Sequence, residues 1–198
     1  MDLLAFATVF GAGLLGSVPF GYLLAKRFFG LDLKAIGSGN IGATNATRAG
    51  GAGLGAFVLL LDALKGAAGP LIAQALGADA WTVVLAGLAA VVSHCYTPFL
   101  RFAGGKGVAT SLGVIVAIDP WLGLAGVLAY ALTLAATRTS AIGSLVGTGL
   151  CVLIAWLWPG DRFDWPAKII LLVLCALIVW RHRSNIAALR SSEGVSEA

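Results

Sequence analysis

Apolar residues in this chain come in long runs separated by short polar stretches rich in glycine. The runs cover residues 3–24, 52–76, 81–100, 108–118, 121–136, 141–158 and 167–179. A hydrocarbon layer about 30 Å thick asks this of a helix, because about 20 apolar residues rising about 1.5 Å each cross it. The pattern predicts an all-α fold: a polytopic membrane bundle of seven transmembrane helices, forming a single domain over residues 1–198.

The fourth and fifth runs are short and could be one span interrupted by Asp119 and Pro120. The distribution of cations decides between the two counts, because Lys and Arg gather on the cytoplasmic side. Seven spans with the N-terminus outside put ten cations inside (Lys26, Arg27, Lys34, Arg48, Arg101, Lys106, Arg138, Arg181, Arg183 and Arg190) and leave Arg162 and Lys168 outside. Merging the two runs weakens the split to eight against four, so the sequence predicts seven spans and a cytoplasmic C-terminus.

Composition agrees with a lipid solvent. Of 198 residues, 59% are apolar and 11% charged, against about 25% charged in soluble domains. Asp2 is the one charge before the first run, and Lys26 and Arg27 follow it. That is the reverse of a cleaved signal peptide, so the first helix is expected to be retained. Cys95, Cys151 and Cys175 fall in or beside apolar runs and read as packing residues.

Recess matters more than count. A helix from Gly105 to Ile118 rises only about 21 Å, so its cytoplasmic end should lie below the membrane surface. Irregular backbone at that depth needs a protein cover or a wet cavity. Residues 102–107 are therefore expected to line a pocket.

Four polar clusters carry candidate chemistry. The first is IGSGNIGATNATRAGGAG, residues 36–53, read as a cytoplasmic loop. In it Gly37, Gly39 and Gly42 permit positive φ, Ser38, Asn40, Thr44 and Asn45 offer neutral hydrogen-bonding groups, and Arg48 offers a bidentate cation. Such a loop can bind an anion. GSGNIG also satisfies a dinucleotide-binding spacing with Asp62 downstream, but no strand precedes it and Asp62 lies in an apolar helix. The second cluster, LLDALKGAAGP, puts Asp62 and Lys65 one turn apart inside an apolar run, where charge is costly and marks function or a self-neutralising pair.

In the third cluster, HCYTPFLRFAGGKGVATSLG, residues 94–113, Gly104, Gly105 and Gly107 bracket Lys106 at the start of the recessed helix, with His94 nearby. A lysine at a helix N-terminus suits phosphate, although Leu100 and Gly107 rule out a Walker A loop. The fourth is RHRSNI, residues 181–186, directly after the last run. A basic membrane-proximal tail explains its arginines but not His182 or Asn185. Two distant histidines and few cytoplasmic carboxylates argue against a metal site, and neither histidine has an acid five residues on.

These clusters, GSGNIGATNATR, DALKG, GGKGVAT and RHRSNI, together with GSVPFGYLLAK in the first helix, resemble the motifs of the PlsY family of bacterial acyl-phosphate:glycerol-3-phosphate acyltransferases over nearly the whole chain. The resemblance implies a multi-pass enzyme of the bacterial inner membrane with its active site facing the cytoplasm. A fatty acyl phosphate would be the donor, glycerol-3-phosphate the acceptor, and lysophosphatidic acid and phosphate the products, in the first step of phospholipid synthesis. It implies no cofactor, no nucleic acid, no obligate protein partner, and membrane lipid around the site. Ser38, Arg48, Lys106, His182 and Asn185 match the family's phosphate-binding and catalytic positions, and Asn40, Asn45 and Lys65 are supporting contacts. Gly37, Gly39, Thr44, His94, Gly104, Gly105 and Gly107 complete the expected substrate-binding set. The chain departs from the family after Ile186, where an arginine two residues on and a Gly-x-Glu are replaced by Ala188, Ser192, Glu193 and Gly194. A transporter of a phosphorylated metabolite is the rival class, but the sequence contains no internal repeat and its cations gather on one side.

Overall fold

The computed structural model describes residues 2–196, with side chains through Ser191, and every regular element among them is helical. The first apolar run is divided between α1 (Leu3–Ser17) and α2 (Phe20–Phe29). The other six runs become α3 (Ala43–Ala75), α4 (Ala80–Cys95), α5 (Val108–Ile118), α6 (Pro120–Thr137), α7 (Ser140–Leu157) and α8 (Trp165–Arg181), and α9 (Arg183–Ser196) follows. Among the described residues, five segments are long and apolar enough to cross a membrane, Leu3–Phe29 counting as one. A sixth qualifies if α8 and Arg183–Ser191, bent by 52°, are taken together. The 11 residues of α5 rise only about 16 Å, too little to cross alone.

Three boundaries differ from the sequence expectation, each for a local reason. The first run breaks at Val18–Pro19, because proline holds the preceding residue extended, at ψ 118 here. The carbonyls freed by the break are satisfied from elsewhere in the bundle: Thr97 Oγ1, just after α4, donates to Ser17 O at 2.6 Å and Lys65 Nζ of α3 to Val18 O at 2.9 Å. The second difference is that α3 begins at Ala43, inside the stretch read as loop up to Gly53. A kink at Gly51, φ 86, separates a short polar helical piece from the apolar remainder. Finally, α5 begins at Val108 rather than Gly105, with Gly107 as a left-handed cap at φ 83.

Packing relies on small residues, because lipid supplies no hydrophobic force between helices and close backbone approach must. A methyl group on Gly66 would strike the Thr110 carbonyl and one on Gly113 the Ala63 carbonyl, so α3 and α5 are in backbone contact on both sides. Gly16 meets Ala90 in the same way between α1 and α4. Large apolar side chains such as Phe10, Leu60, Trp121 and Leu172 stand on the outside.

Helix starts at the two ends of the bundle are treated differently. Asp2, Asp79, Asp119 and Asp164 cap α1, α4, α6 and α8 through side-chain bonds to Ala5, Thr82, Leu122 and Ala167 amides. Asp119 also holds Arg162 at 2.7 and 3.1 Å, joining the α5–α6 corner to the α7–α8 loop. The helices that start at the opposite end, α3, α5 and α7, are preceded by Gly42, Gly107 and Thr139 and have no side-chain cap. Their first amides keep free hydrogen-bonding capacity.

Candidate functional site

A cavity of about 830 Å³ opens among α3, α5, α6 and α7, and the first turns of uncapped α3, α5 and α7 all border it. Arg48, Lys106 and Arg138 line it, and toward its depth it is walled by Leu59, Leu112, Ile115, Val127 and Cys151. Among the described residues, no carboxylate pairs with those three cations. Positive charge and helix N-termini without counter-charge at one end, continuous with an apolar slot, suit a ligand with an anionic head and an apolar tail.

Asn45 organises the first cluster. Its Nδ2 donates to the carbonyls of Leu33, Ile36 and Asn40 at 2.9, 3.0 and 2.9 Å, and its Oδ1 accepts the Ser38 amide at 3.0 Å. A buried side chain thus pins the loop from within. Gly37 and Gly39 take positive φ, 57 and 68, as expected, but they lie outside the cavity lining. Gly42 does not take positive φ: at −82 it is extended, with its amide bonded to Asn40 Oδ1 at 2.9 Å. Ser38, Asn40, Thr44, Asn45 and Arg48 all border the cavity. Thr44 Oγ1 sits 3.0 Å from Ser140 Oγ, which sits 3.1 Å from the Tyr130 hydroxyl, linking α3 to α7 and α6 at the mouth.

In the second cluster Lys65 is turned away from the cavity lining. It is 2.9 Å from Asp62, 2.9 Å from the Val18 carbonyl, and almost wholly buried. Its charge serves the pair and the α1–α2 break. Asp62 and His94 do border the cavity, with His94 Nδ1 3.6 Å from Asp62 Oδ1.

Gly104 and Gly105 also lie outside the lining. Their amides donate to the Cys95 and His94 carbonyls at 3.2 Å each, capping the end of α4, and a methyl group on either would collide with His94. Glycine is required there by packing. Gly107 and Lys106 border the cavity, and Lys106 Nζ donates to Asn185 Oδ1 at 2.5 Å. Burial, then the charges of Arg48 and Arg181, lower the Lys106 pKa from the ordinary lysine value.

His182 follows the last residue of α8 and is buried. Its Nδ1 lies 2.8 Å from the Ile178 carbonyl. A carbonyl can only accept, so Nδ1 carries the proton and Nε2 keeps a lone pair. Burial is the main cause lowering the His182 pKa, followed by a smaller opposing effect of the Ile178 bond and by the charges of Lys106 and Arg181, which lower it. Asn185 and His182 both border the cavity, while Ser192, Glu193 and Gly194, in the stretch where the chain departs from the family, lie outside the described side chains.

Several lining residues were not singled out from sequence. Arg138, the left-handed cap of α6, was read only as a topology marker, Ser140 falls in the same break between runs, and Tyr130 and Ser111 belong to runs read as membrane spans. The available signal for Arg138 was a basic residue in a polar TRTS break on the same side as the clusters.

Fold and site together give a helical membrane-type bundle whose cavity combines three cations with an apolar wall. The comparisons with known proteins are more specific. A family model for glycerol-3-phosphate acyltransferase matches residues 6–192. The glycerol-3-phosphate acyltransferase of Anaeromyxobacter sp. (strain Fw109-5) is 47% identical over 187 residues, 91% of this chain and 90% of the relative. That of Roseobacter denitrificans is 46% identical over 179 residues, 90% and 86% of the two chains. A crystal structure of PlsY, an integral membrane glycerol 3-phosphate acyltransferase, in its glycerol 3-phosphate form superposes with a TM-score of 0.89 at 40% identity, covering 95% of this chain and 92% of that one. Its lysophosphatidic acid form gives 0.87 at 39%. The chain belongs to the glycerol-3-phosphate acyltransferase family and is an integral membrane enzyme.

Proposed function

We propose that the enzyme transfers a fatty acyl group from acyl phosphate to the 1-hydroxyl of sn-glycerol-3-phosphate, releasing lysophosphatidic acid and phosphate, at the cytoplasmic face of a bacterial inner membrane. The observation that carries this reading is the cavity in which Arg48, Lys106 and Arg138 gather above an apolar slot, with the one lining carboxylate, Asp62, paired to Lys65 rather than to any of them. Two phosphate dianions and one acyl chain need that combination. The solved relatives, one in a glycerol 3-phosphate form and one in a lysophosphatidic acid form, support the acceptor and the product.

In this reading Arg48, with Ser38 and the amides of the first loop, grips the glycerol phosphate, and Lys106 and the α5 amides stabilise charge on the acyl-phosphate oxygens. The glycerol oxygen bonds to the acyl carbonyl carbon, and the carbon–oxygen bond to phosphate breaks. The hydroxyl proton passes to His182 Nε2 or to a phosphate oxygen of the substrate, and Asn185 holds Lys106 in position.

The topology belongs to the same proposal: seven spans, with α5 as a recessed fourth, the N-terminus outside and the C-terminus inside. It rests on the ten-to-two cation split and on the uncapped starts of α3, α5 and α7 at the basic end. The test is phosphate release by purified enzyme given acyl phosphate and glycerol-3-phosphate. Release dependent on both substrates is expected, and release without glycerol-3-phosphate, or none, overturns the reading.

A further inference from the structure

Arg181 lies one residue before His182 and does not line the cavity, yet its guanidinium is committed to the backbone that presents Lys106. Its Nη2 donates to the Gly104 and Gly105 carbonyls at 3.0 and 2.9 Å, and its Nε donates to the Gly105 carbonyl at 3.1 Å. The guanidinium carbon is 5.1 Å from the centre of the Tyr96 ring, within cation–π range. Among the described residues, Arg181 has no carboxylate partner. A half-buried cation without a counter-ion is costly, and three bonds to carbonyls plus an aromatic face offset that cost.

The loop it grips is already fixed on its other side. The Gly104 and Gly105 amides donate to the last carbonyls of α4, and their carbonyls accept from Arg181 at the end of α8. The next residue, Lys106, reaches back to Asn185 in α9, just past the bend that follows Arg181. A ring closes: Arg181 to Gly105, Lys106 to Asn185, and back through the His182 bend to Arg181. We infer that Arg181 is a positioning residue for the transfer reaction, setting the distance between the Lys106 ammonium and the His182–Asn185 pair through the Gly104–Gly105 carbonyls. The fork matters rather than the charge alone, because an ammonium has its donors on a single atom and cannot reproduce the fixed spacing of Nε and Nη2 against the two carbonyls. Arg181 acts on Lys106, which the proposed mechanism assigns to the acyl phosphate, so the inference rests on that reading.

Steady-state kinetics of Arg181→Lys and Arg181→Gln, with thermal stability measured in the same detergent, test it. Wild-type turnover in that assay checks the reaction itself: if wild type is inactive the proposed function fails, whereas the variants judge only the role of Arg181. Arg181→Lys should lose about tenfold or more in kcat, as a misplaced catalytic group does. The KM for glycerol-3-phosphate, which depends on Arg48, should stay within about twofold, and Arg181→Gln should be little worse than Arg181→Lys. Should either variant fail to fold, Tyr96→Leu, which removes the aromatic face without touching the carbonyls, should lower kcat in the same selective way, and Tyr96→Phe, which keeps the face, should not. Full kcat in Arg181→Lys, an equal effect on both parameters, or, where the arginine variants do not fold, unchanged kcat in Tyr96→Leu would overturn the inference.

Discussion

His182 Nδ1 stands 2.8 Å from the carbonyl oxygen of Ile178 one turn earlier, which fixes the tautomer and leaves Nε2 as the basic nitrogen at the cavity edge. With burial as the main cause lowering its pKa, the ring stays neutral to more acid pH than a free histidine, whose value is about 6.5. If Nε2 takes the glycerol proton, kcat should fall on the acid side with a midpoint below about 6.5. His182→Gln should remove that acid limb and lower kcat by about a hundredfold or more. A rate profile unchanged in shape in the variant would reassign the proton to the substrate's phosphate.

Lys106 is expected to set the opposite limb. Its pKa is lowered, by burial first and then by Arg48 and Arg181, so its positive charge disappears at lower pH than that of a free lysine, whose pKa is about 10.4. Activity should therefore decline on the alkaline side before that value. Lys106→Ala should reduce turnover by about a hundredfold or more, as loss of one charge-stabilising donor does, while the protein stays folded in detergent. Near-normal turnover in Lys106→Ala would reduce the lysine to a membrane-depth anchor.

Arg48 stands on the short polar piece of α3 before the Gly51 kink, exposed at the cavity mouth. A guanidinium there can hold two phosphate oxygens at once, and an ammonium holds them only as a point charge. Arg48→Lys should raise the KM for glycerol-3-phosphate by about tenfold, the equivalent of about 1.4 kcal/mol. An unchanged KM would remove Arg48 from the acceptor site.

The apolar runs announced every long helix, because crossing lipid leaves a composition signal that local context cannot hide. What the runs concealed was backbone continuity. ATNATRAGG, with its small polar residues and paired glycines, carries no apolar stripe, and its helical form depends on Asn45 tying back to Leu33, Ile36 and Asn40. The four motif clusters did come together around one cavity, but motif membership did not reveal which members face it. Gly104, Gly105 and Lys65 serve packing and the α1–α2 break. Conversely, Arg138 reaches the cavity from a break that looked like any connector. Such roles depend on contacts between distant segments and are invisible in local pattern.

Topology can be read with introduced cysteines. Ser191 is exposed on α9 beyond the basic RHR sequence, and Asp161 is exposed in the α7–α8 loop beside Arg162. With seven spans and the N-terminus outside, an impermeant thiol reagent applied to intact cells should label Asp161→Cys and spare Ser191→Cys until the membrane is opened. Labelling of Ser191→Cys from outside would reverse the model.

The donor is the sharpest remaining prediction, because different acyl carriers demand different surfaces. Acyl-CoA brings a nucleotide that must be housed, and acyl carrier protein presents an acidic face that needs a docking patch of exposed cations. At the basic end the helices are joined by residues 30–42, 96–107 and 138–139, and Arg48, Lys106 and Arg138 line the cavity mouth. An acyl phosphate asks only for one more dianion site and a slot for its chain, which the α5 start with Lys106 and the wall of Leu112, Ile115 and Val127 can supply. Acyl phosphate should therefore support lysophosphatidate formation at micromolar levels, with acyl-CoA and acyl carrier protein inert. The three cations and the uncapped amides of α3, α5 and α7 can neutralise the phosphates themselves, so a strong chelator should leave the rate unchanged. Product formation measured with each donor, with and without chelator, decides the matter: robust product from acyl-CoA, or complete loss of activity on chelation, would overturn the assignment.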